Sequence, residues 1–167
     1  MSESSQETPR DDAALLTRFP GHPVNRDSAA HYHGRLERRL LINRCADCAN
    51  WHHPPRPLCP ACWSWDVAAV EVSGRGRIHL LMTLMQGPPA PGVDYADGHP
   101  VITVELDEQP ALRFTATVTD DFPADRLEIG APVVLDWTER DGTPTPVFRL
   151  DEHRDDKAGA DRPVDDR

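Results

Sequence analysis

Every cysteine of the chain lies between residues 45 and 62, as two C-x-x-C pairs, Cys45/Cys48 and Cys59/Cys62, with ten residues between them. Thiols spaced this way form two knuckles whose four sulfurs reach the corners of one tetrahedron. That arrangement holds a structural zinc at about 2.3 Å per Zn–S bond and leaves no vacant coordination position for a substrate water. The surrounding segment, NRCADCANWHHPPRPLCPACWSW (43–65), is poor in aliphatic residues. Metal binding supplies the folding free energy of such a segment, and Pro54, Pro55 and Pro57 stiffen its spacer. His52 and His53 sit between the knuckles; with four cysteines filling the tetrahedron, they read as surface loop residues. Other uses of the thiols stay in play. Iron in the same cage would make a rubredoxin-like electron carrier, and Cys59-Pro60-Ala61-Cys62 has the C-P-x-C form seen there; ligand type does not separate the two ions. A dithiol redox motif needs only one C-x-x-C, in a βαβ context that the sequence lacks.

The charge balance narrows the partners. Against 28 acidic residues stand 18 basic ones, a net charge of −10, and a field of that sign repels phosphate backbones and anionic headgroups within about 10 Å. Nucleic acid and membrane surfaces are therefore unfavourable partners. The opening MSESSQETPRDDAALL lacks a secretory pattern, and no run approaches the ~20 apolar residues of a membrane span. The chain reads as cytoplasmic, where clustered cysteines serve as metal ligands or catalysts more often than as disulfides. Its length of 167 residues is sufficient to bury a core without disulfides.

Four regions follow from the composition. Residues 1–26 are expected to be a flexible tail and residues 151–167 a disordered acidic one. Residues 27–68 carry a helix, which Asp27 or Ser28 caps and Leu36, Leu40 and Leu41 stripe, followed by the zinc ribbon. Arg39 to Arg44 reads alternatively as a strand. Arg35, Arg38, Arg39 and Arg44 concentrate positive charge here, a candidate contact for an anion or an acidic partner.

Residues 69–150 read as all-β. Strand candidates are Gly76–Met85, Val101–Leu106, Ala111–Thr119, Val133–Trp137 and Val147–Leu150, with a turn at Asp141-Gly142. In the third, Leu112, Phe114, Ala116 and Val118 alternate inward, and Arg113, Thr115, Thr117 and Thr119 outward. Five short strands with one apolar face suit a small barrel, because closure removes exposed edges. Ser73-Gly74-Arg75-Gly76 suits a bulge or bend at the barrel entrance. Residues 120–130 leave room for a short helix between the third and fourth strands. GPPAPGVDYADGHP (87–100) cannot be regular structure, and loops of this length tend to be functional.

No catalytic constellation stands out. The sequence lacks G-x-S-x-G, H-E-x-x-H, P-loop and dinucleotide patterns. Asp107/Glu108 and Asp120/Asp121 occupy turn positions where acids are expected without chemistry.

In this order the parts carry a family resemblance: Arg44-Cys45-x-x-Cys48, Pro54-Pro55-Arg56, Cys59-Pro60-x-Cys62, Ser73-Gly74-Arg75-Gly76, Val104-Glu105-Leu106-Asp107 and Ile129-Gly130. The chain resembles, from about Ala29 to Leu150, a family formerly catalogued as a domain of unknown function: a rubredoxin-like zinc ribbon followed by an acyl-CoA-associated OB-fold. The resemblance implies one structural Zn2+ per chain and a non-catalytic subunit of a hetero-oligomer. Its expected partner is a thiolase-superfamily enzyme, a steroid side-chain aldolase or an acyltransferase, whose acyl-CoA site the subunit helps to form. A hotdog-fold enoyl-CoA hydratase is the alternative partner, and a rubredoxin-like electron carrier the alternative function. The OB-fold's usual association with nucleic acid is countered by residues 69–150, where six arginines face 13 acidic groups. Candidate CoA or partner contacts are Arg35, Arg38, Arg39, Trp51, Trp63, Trp65, Pro88 and Pro89. Many family members have glycine where this chain has Ala49 and Trp63, so the knuckle turns are expected to differ locally, since positive φ is costly for other residues.

Overall fold

The computed structural model describes residues 12–90 and 93–155. Two helices lead. α1 (Asp12–Arg18) packs on α2 (Ala29–Leu36), burying Leu15 and Phe19 against Ala29 and Tyr32. Residues 12–26 thus differ from the flexible tail expected over 1–26: Leu15 and Phe19 of the short apolar patch have a local acceptor in α2, while Leu16 stays exposed. Residues 1–11 lie outside the described residues.

Ser28 is the N-terminal flanking residue of α2, but its hydroxyl makes no capping bond. It turns back instead, donating to the Pro23 carbonyl at 2.9 Å and accepting from the Asn25 amide at 2.9 Å. At the other end Arg38 takes φ 57°, and the Arg39 amide donates to Gly34 O at 2.8 Å. This left-handed termination satisfies the last carbonyls and swings the chain into a strand.

That strand, β1 (Leu41–Cys45), is the centre of an antiparallel three-stranded ribbon ordered β2-β1-β3, with β2 at Trp51–His52 and β3 at Val67–Glu71. The strand alternative for Arg39 to Arg44 therefore holds from Leu41 onward, while the helical stripe ends at Leu36. Leu40 and Ile42 join Val72 and the barrel residues Ile78, Ile102, Val104 and Phe148 in one core. Ribbon and barrel thus share apolar packing across the boundary drawn at residue 68.

Five strands close the barrel: β4 (Arg75–Leu84), β5 (His99–Leu106), β6 (Arg113–Val118), β7 (Pro132–Arg140) and β8 (Thr143–Leu150), ordered β4-β5-β6-β8-β7. Only β6 and β8 run parallel, and β7 returns to β4, the topology of an OB-fold. Ile102, Val104 and Leu106 fill the interior, as the alternation requires. β6 departs once from its pattern: Thr117, expected outward, is buried, and its hydroxyl donates to Pro100 O at 2.6 Å. The fourth and fifth strands run longer than expected because the Asp141-Gly142 turn, with φ of 51° and 66°, continues their pairing to Arg140↔Thr143. A 3-10 turn at Ala124–Arg126 fills the gap between β6 and β7.

Closure turns on the S-G-R-G stretch. Gly74 sits at φ 71° with Leu135 Cβ 2.5 Å from where its own Cβ would be, and a Cβ on Gly76 would meet the Glu105 carbonyl oxygen. Gly76 is where β4 pairs with Leu106 on one side and Val133 on the other, so a bare backbone lets three strands converge. The register bulge comes later, between Ile78 and Leu80. After β8, buried Asp151 takes Arg75 as an ion-pair partner, and α3 (Glu152–Asp155) follows. Residues 151–155 thus differ from the disordered tail expected over 151–167, because Arg75 pairs with buried Asp151; residues 156–167 lie outside the described residues.

Candidate metal centre and its surroundings

The knuckles are built by backbone. In the first, Cys45 N donates to Asn50 O at 2.9 Å; in the second, Cys59 N donates to Ser64 O at 2.9 Å and Trp63 N to Cys59 O at 3.0 Å. Both tight turns place a residue at positive φ, Ala49 at 60° and Trp63 at 64°. The expectation that these turns would differ in the absence of glycine is thus not met. Each keeps the left-handed conformation and absorbs about 1 kcal/mol of strain, because four sulfurs must converge.

They do converge. Cys45 Sγ lies 3.6 Å from Cys62 Sγ, Cys48 Sγ lies 3.6 Å from Cys59 Sγ, and all four fall within 4.8 Å of one another. A disulfide needs about 2.05 Å, so these are free thiols. A tetrahedron with ~2.3 Å metal–sulfur bonds has edges of about 3.8 Å, close to the observed spacing. The donor set therefore fits one tetrahedral ion.

Electrostatics point the same way. Burial acts to raise the Cys59 thiol, but the Cys62 and Ala61 amides and the neighbouring Cys48 and Cys62 thiols outweigh it and bring it down to about 7. Cys62 receives the Ser64 amide, which acts to lower it, yet the Cys48 thiol, burial and the other two thiols push it up to about 12. Four thiolates cannot ionise together at this spacing without a cation among them. Around the sulfurs, the Ser64 hydroxyl donates to Asp47 at 2.5 Å, and Ala46 N donates to Asp66 O at 2.9 Å. These bonds tie one knuckle to the other and orient the ligands.

His52 and His53 are not the surface loop residues expected. His52 is buried with neither ring nitrogen partnered among the described residues. His53 is half-buried, its ring 5.5 Å from His31 and 5.2 Å from Phe114. The spacer folds back over the barrel, so these imidazoles pack between ribbon and sheet. His31 holds the same seam, its Nδ1 2.9 Å from Leu41 O.

The remaining expected contacts scatter. Arg35 is buried between the helices and the barrel, its guanidinium 4.7 Å from the Phe19 ring centroid. Arg38 pairs with Glu139 at 2.6 Å, and Arg39 with Glu71 at 2.8 Å and Glu37 at 3.2 Å; these exposed pairs contribute little stability. Trp51 is half-buried, with the Arg44 guanidinium 5.5 Å from its ring centroid, and its amide donates to Gln109 at 2.9 Å. Trp63 and Trp65, two residues apart at the second knuckle, are 72% and 75% exposed. Pro88 and Pro89 are exposed on the β4–β5 loop, which is held by the Tyr95 hydroxyl donating to Pro88 O at 3.1 Å. The structure therefore separates the arginines, and it leaves Trp63 and Trp65 as the exposed aromatic pair. Sequence reasoning missed Arg18 and Arg140, which tertiary structure brings beside Arg35 in one cavity. No local signal links residues so distant in the chain.

Comparison with known proteins accords with this geometry. The family model described as "ChsH2, rubredoxin-like zinc ribbon domain" matches residues 33–67. A relative from Thermomonospora curvata named "Probable enoyl-CoA hydratase alpha subunit" is 40% identical over 78% of this chain, which spans only 39% of that protein. A "DUF35 domain-containing scaffold protein" of Pyrococcus furiosus is 33% identical over 58% of this chain and 67% of its own length. Among solved structures, a chain of the "Ltp2-ChsH2(DUF35) aldolase" superposes with a TM-score of 0.67 at 38% identity, covering 77% of this chain and 98% of that one. A Sulfolobus solfataricus protein of the DUF35 family, 11% identical, shares the fold with a TM-score of 0.53. With a ribbon that fits a tetrahedral metal, a five-stranded closed barrel behind it, and a Pyrococcus furiosus DUF35 protein and the aldolase's DUF35 chain matched along two thirds or more of their length, the chain belongs to the DUF35 family.

Proposed function

We propose that the chain is a non-catalytic subunit, stabilised by one structural Zn2+, that docks on a thiolase-superfamily enzyme and helps to form its acyl-CoA site. A steroid side-chain aldolase is the partner favoured, an acyltransferase the second choice. The observation that carries this reading is the superposition on 98% of a chain from an aldolase complex. The scaffold names of the Pyrococcus furiosus and Methanothermobacter thermautotrophicus relatives support the accessory role. So does a four-thiolate site, which once filled offers no position for substrate. Zinc rather than iron is favoured by the zinc ribbon described for residues 33–67. A reducing cytoplasmic setting belongs to the same proposal, because it keeps the thiols available to metal.

Trp63 and Trp65 form the centre of the docking face. Exposed aromatics beside a rigid metal knuckle present apolar area at low entropic cost, and such residues dominate interface energetics. A hydratase partner is the second reading, favoured by the Thermomonospora curvata relative. Co-purification of the tagged chain from its native host, with identification of the bound protein, tests both. An aldolase-like or acyltransferase-like thiolase homologue upholds the first reading, a hotdog-fold hydratase replaces it with the second, and turnover of acyl-CoA by the isolated chain overturns both. Iron in the purified chain, with the red colour of a ferric thiolate site, would instead revive the electron carrier.

A further inference from the structure

Two adjoining cavities of about 310 Å³ each share His22, Arg35, Arg140 and Thr145. Together they make a cleft along the seam between the α1–α2 hairpin and the barrel wall. One end carries Arg18, Arg140 and Asp141; the other is floored by Val101, Phe114 and Ala116.

Arg35 is the anomaly in this cleft. It is 8% exposed, its Nε is buried with no hydrogen-bond partner among the described residues, and its nearest acceptor is Pro144 O at a long 3.4 Å. Phe19 and Tyr32 lie 4.7 and 5.6 Å from the guanidinium carbon, and cation–π contact offsets only part of the lost hydration. A buried guanidinium is ordinarily matched by an anion, and no carboxylate pairs with it here among the described residues. Among the described residues Arg140 likewise has no ion pair, although Asp120, Asp121, Asp136 and Glu139 line the neighbouring cavity with it, and Arg18 donates to the Gly142 carbonyl at 3.0 Å. Three guanidiniums thus line the cleft with one carboxylate, Asp141, while Asp120 lies close enough to act on His99 at its border. Arg38 and Arg39, by contrast, are already matched by Glu139, Glu37 and Glu71.

We propose that this seam is a binding site for a phosphomonoester group, held by Arg35 together with Arg18 and Arg140. The convergence of three guanidiniums suits a phosphomonoester, which carries about −1.5 to −2 at neutral pH. The planar forks of arginine match pairs of phosphate oxygens, and the apolar floor beyond suits the remainder of a small organic phosphate. His22 and His99 border the cleft, both held below the ordinary histidine value: His22 by burial and then by Arg35, His99 by burial and then by Arg140, with Asp120 opposing. An arriving anion would raise both. The site is made by this chain alone, so it stands apart from the identity of any partner enzyme.

Calorimetric titration of the full, metal-loaded chain with inorganic phosphate, coenzyme A and 3′-dephospho-coenzyme A tests this, with histidine ring resonances followed in parallel. Saturable phosphate binding is expected, with upward movement of the His22 and His99 titrations. Coenzyme A binding about tenfold tighter than the dephospho form would assign the site to the ribose phosphomonoester. Equal binding of the two would assign it to a free or different phosphomonoester, and either result upholds the site. Arg140→Gln and Arg18→Gln should each weaken phosphate binding about tenfold, whereas Arg38→Gln should leave it unchanged. If Arg35→Met fails to fold, the two exposed-side variants still decide. Absence of saturable phosphate binding below about 10 mM, or equal binding by Arg140→Gln, Arg18→Gln and the parent, would overturn the proposal.

Discussion

Acid should loosen this fold through His53. Burial, then the neighbouring His31 and His52, holds its imidazole down to about 4 from an ordinary 6.5, and its Nδ1 has no partner among the described residues. As the pH falls through 6.5 the unfolded chain takes up a proton that the folded chain refuses until about 4, so stability declines across that window and levels off below it. At 1.36 kcal/mol per unit, the shift of two and a half units corresponds to about 3 kcal/mol in total, of which about 2 is lost between pH 7 and 5. His31, also lowered by burial, adds to the same trend. The perturbation is His53→Leu, which removes the titrating group and the orphaned nitrogen while keeping contact with Phe114. Urea unfolding of both proteins at pH 7 and pH 5 supplies the measurement. Acid release of metal affects both and cancels in the difference, which should leave the variant losing about 2 kcal/mol less than the parent, or about 4–8 °C less in Tm. Equal losses would refute the reasoning for His53 and place the acid sensitivity at other groups.

Removal of the metal with a chelator, or Cys59→Ser, should unfold the ribbon, because binding and folding of such modules are linked; far-UV circular dichroism and metal analysis follow it, with one equivalent lost per chain. Trp63→Gly should stabilise the metal-bound chain by about 1 kcal/mol through relief of the positive φ, while weakening capture of the partner enzyme, so a thermal melt and a pull-down should move in opposite directions. Gly76→Ala should destabilise by more than about 2 kcal/mol, since the new Cβ meets the Glu105 carbonyl at the strand junction; a melt no lower than the parent's would mean that the junction tolerates a side chain.

Features carried by neighbouring residues were legible in the sequence. The C-x-x-C spacing gave the metal ligands because each knuckle is closed by bonds within a few residues, such as Cys59 N to Ser64 O. Period-two alternation gave Ile102, Val104 and Leu106 as interior positions, since a strand inside a barrel has only two faces. Asp141-Gly142 gave its turn because both residues tolerate positive φ. Where local rules competed with packing, packing won. Ala49 and Trp63 accept strained turns to complete the tetrahedron, Thr117 goes inward where Pro100 supplies an acceptor, and His52 and His53 are covered by the fold-back of the spacer.

What the sequence alone determined, then, was a four-thiolate ribbon ahead of a five-stranded β-region, because knuckles, alternation and turns are properties of a few consecutive residues. Only tertiary structure decided that α1 docks on α2, that the tryptophans at 63 and 65 stay uncovered, and that Arg18, Arg35 and Arg140 meet in one cleft. Those outcomes depend on barrel closure and on contacts spanning more than a hundred residues, Arg18 to Gly142 among them. No local pattern encodes a meeting made only when β7 returns to β4.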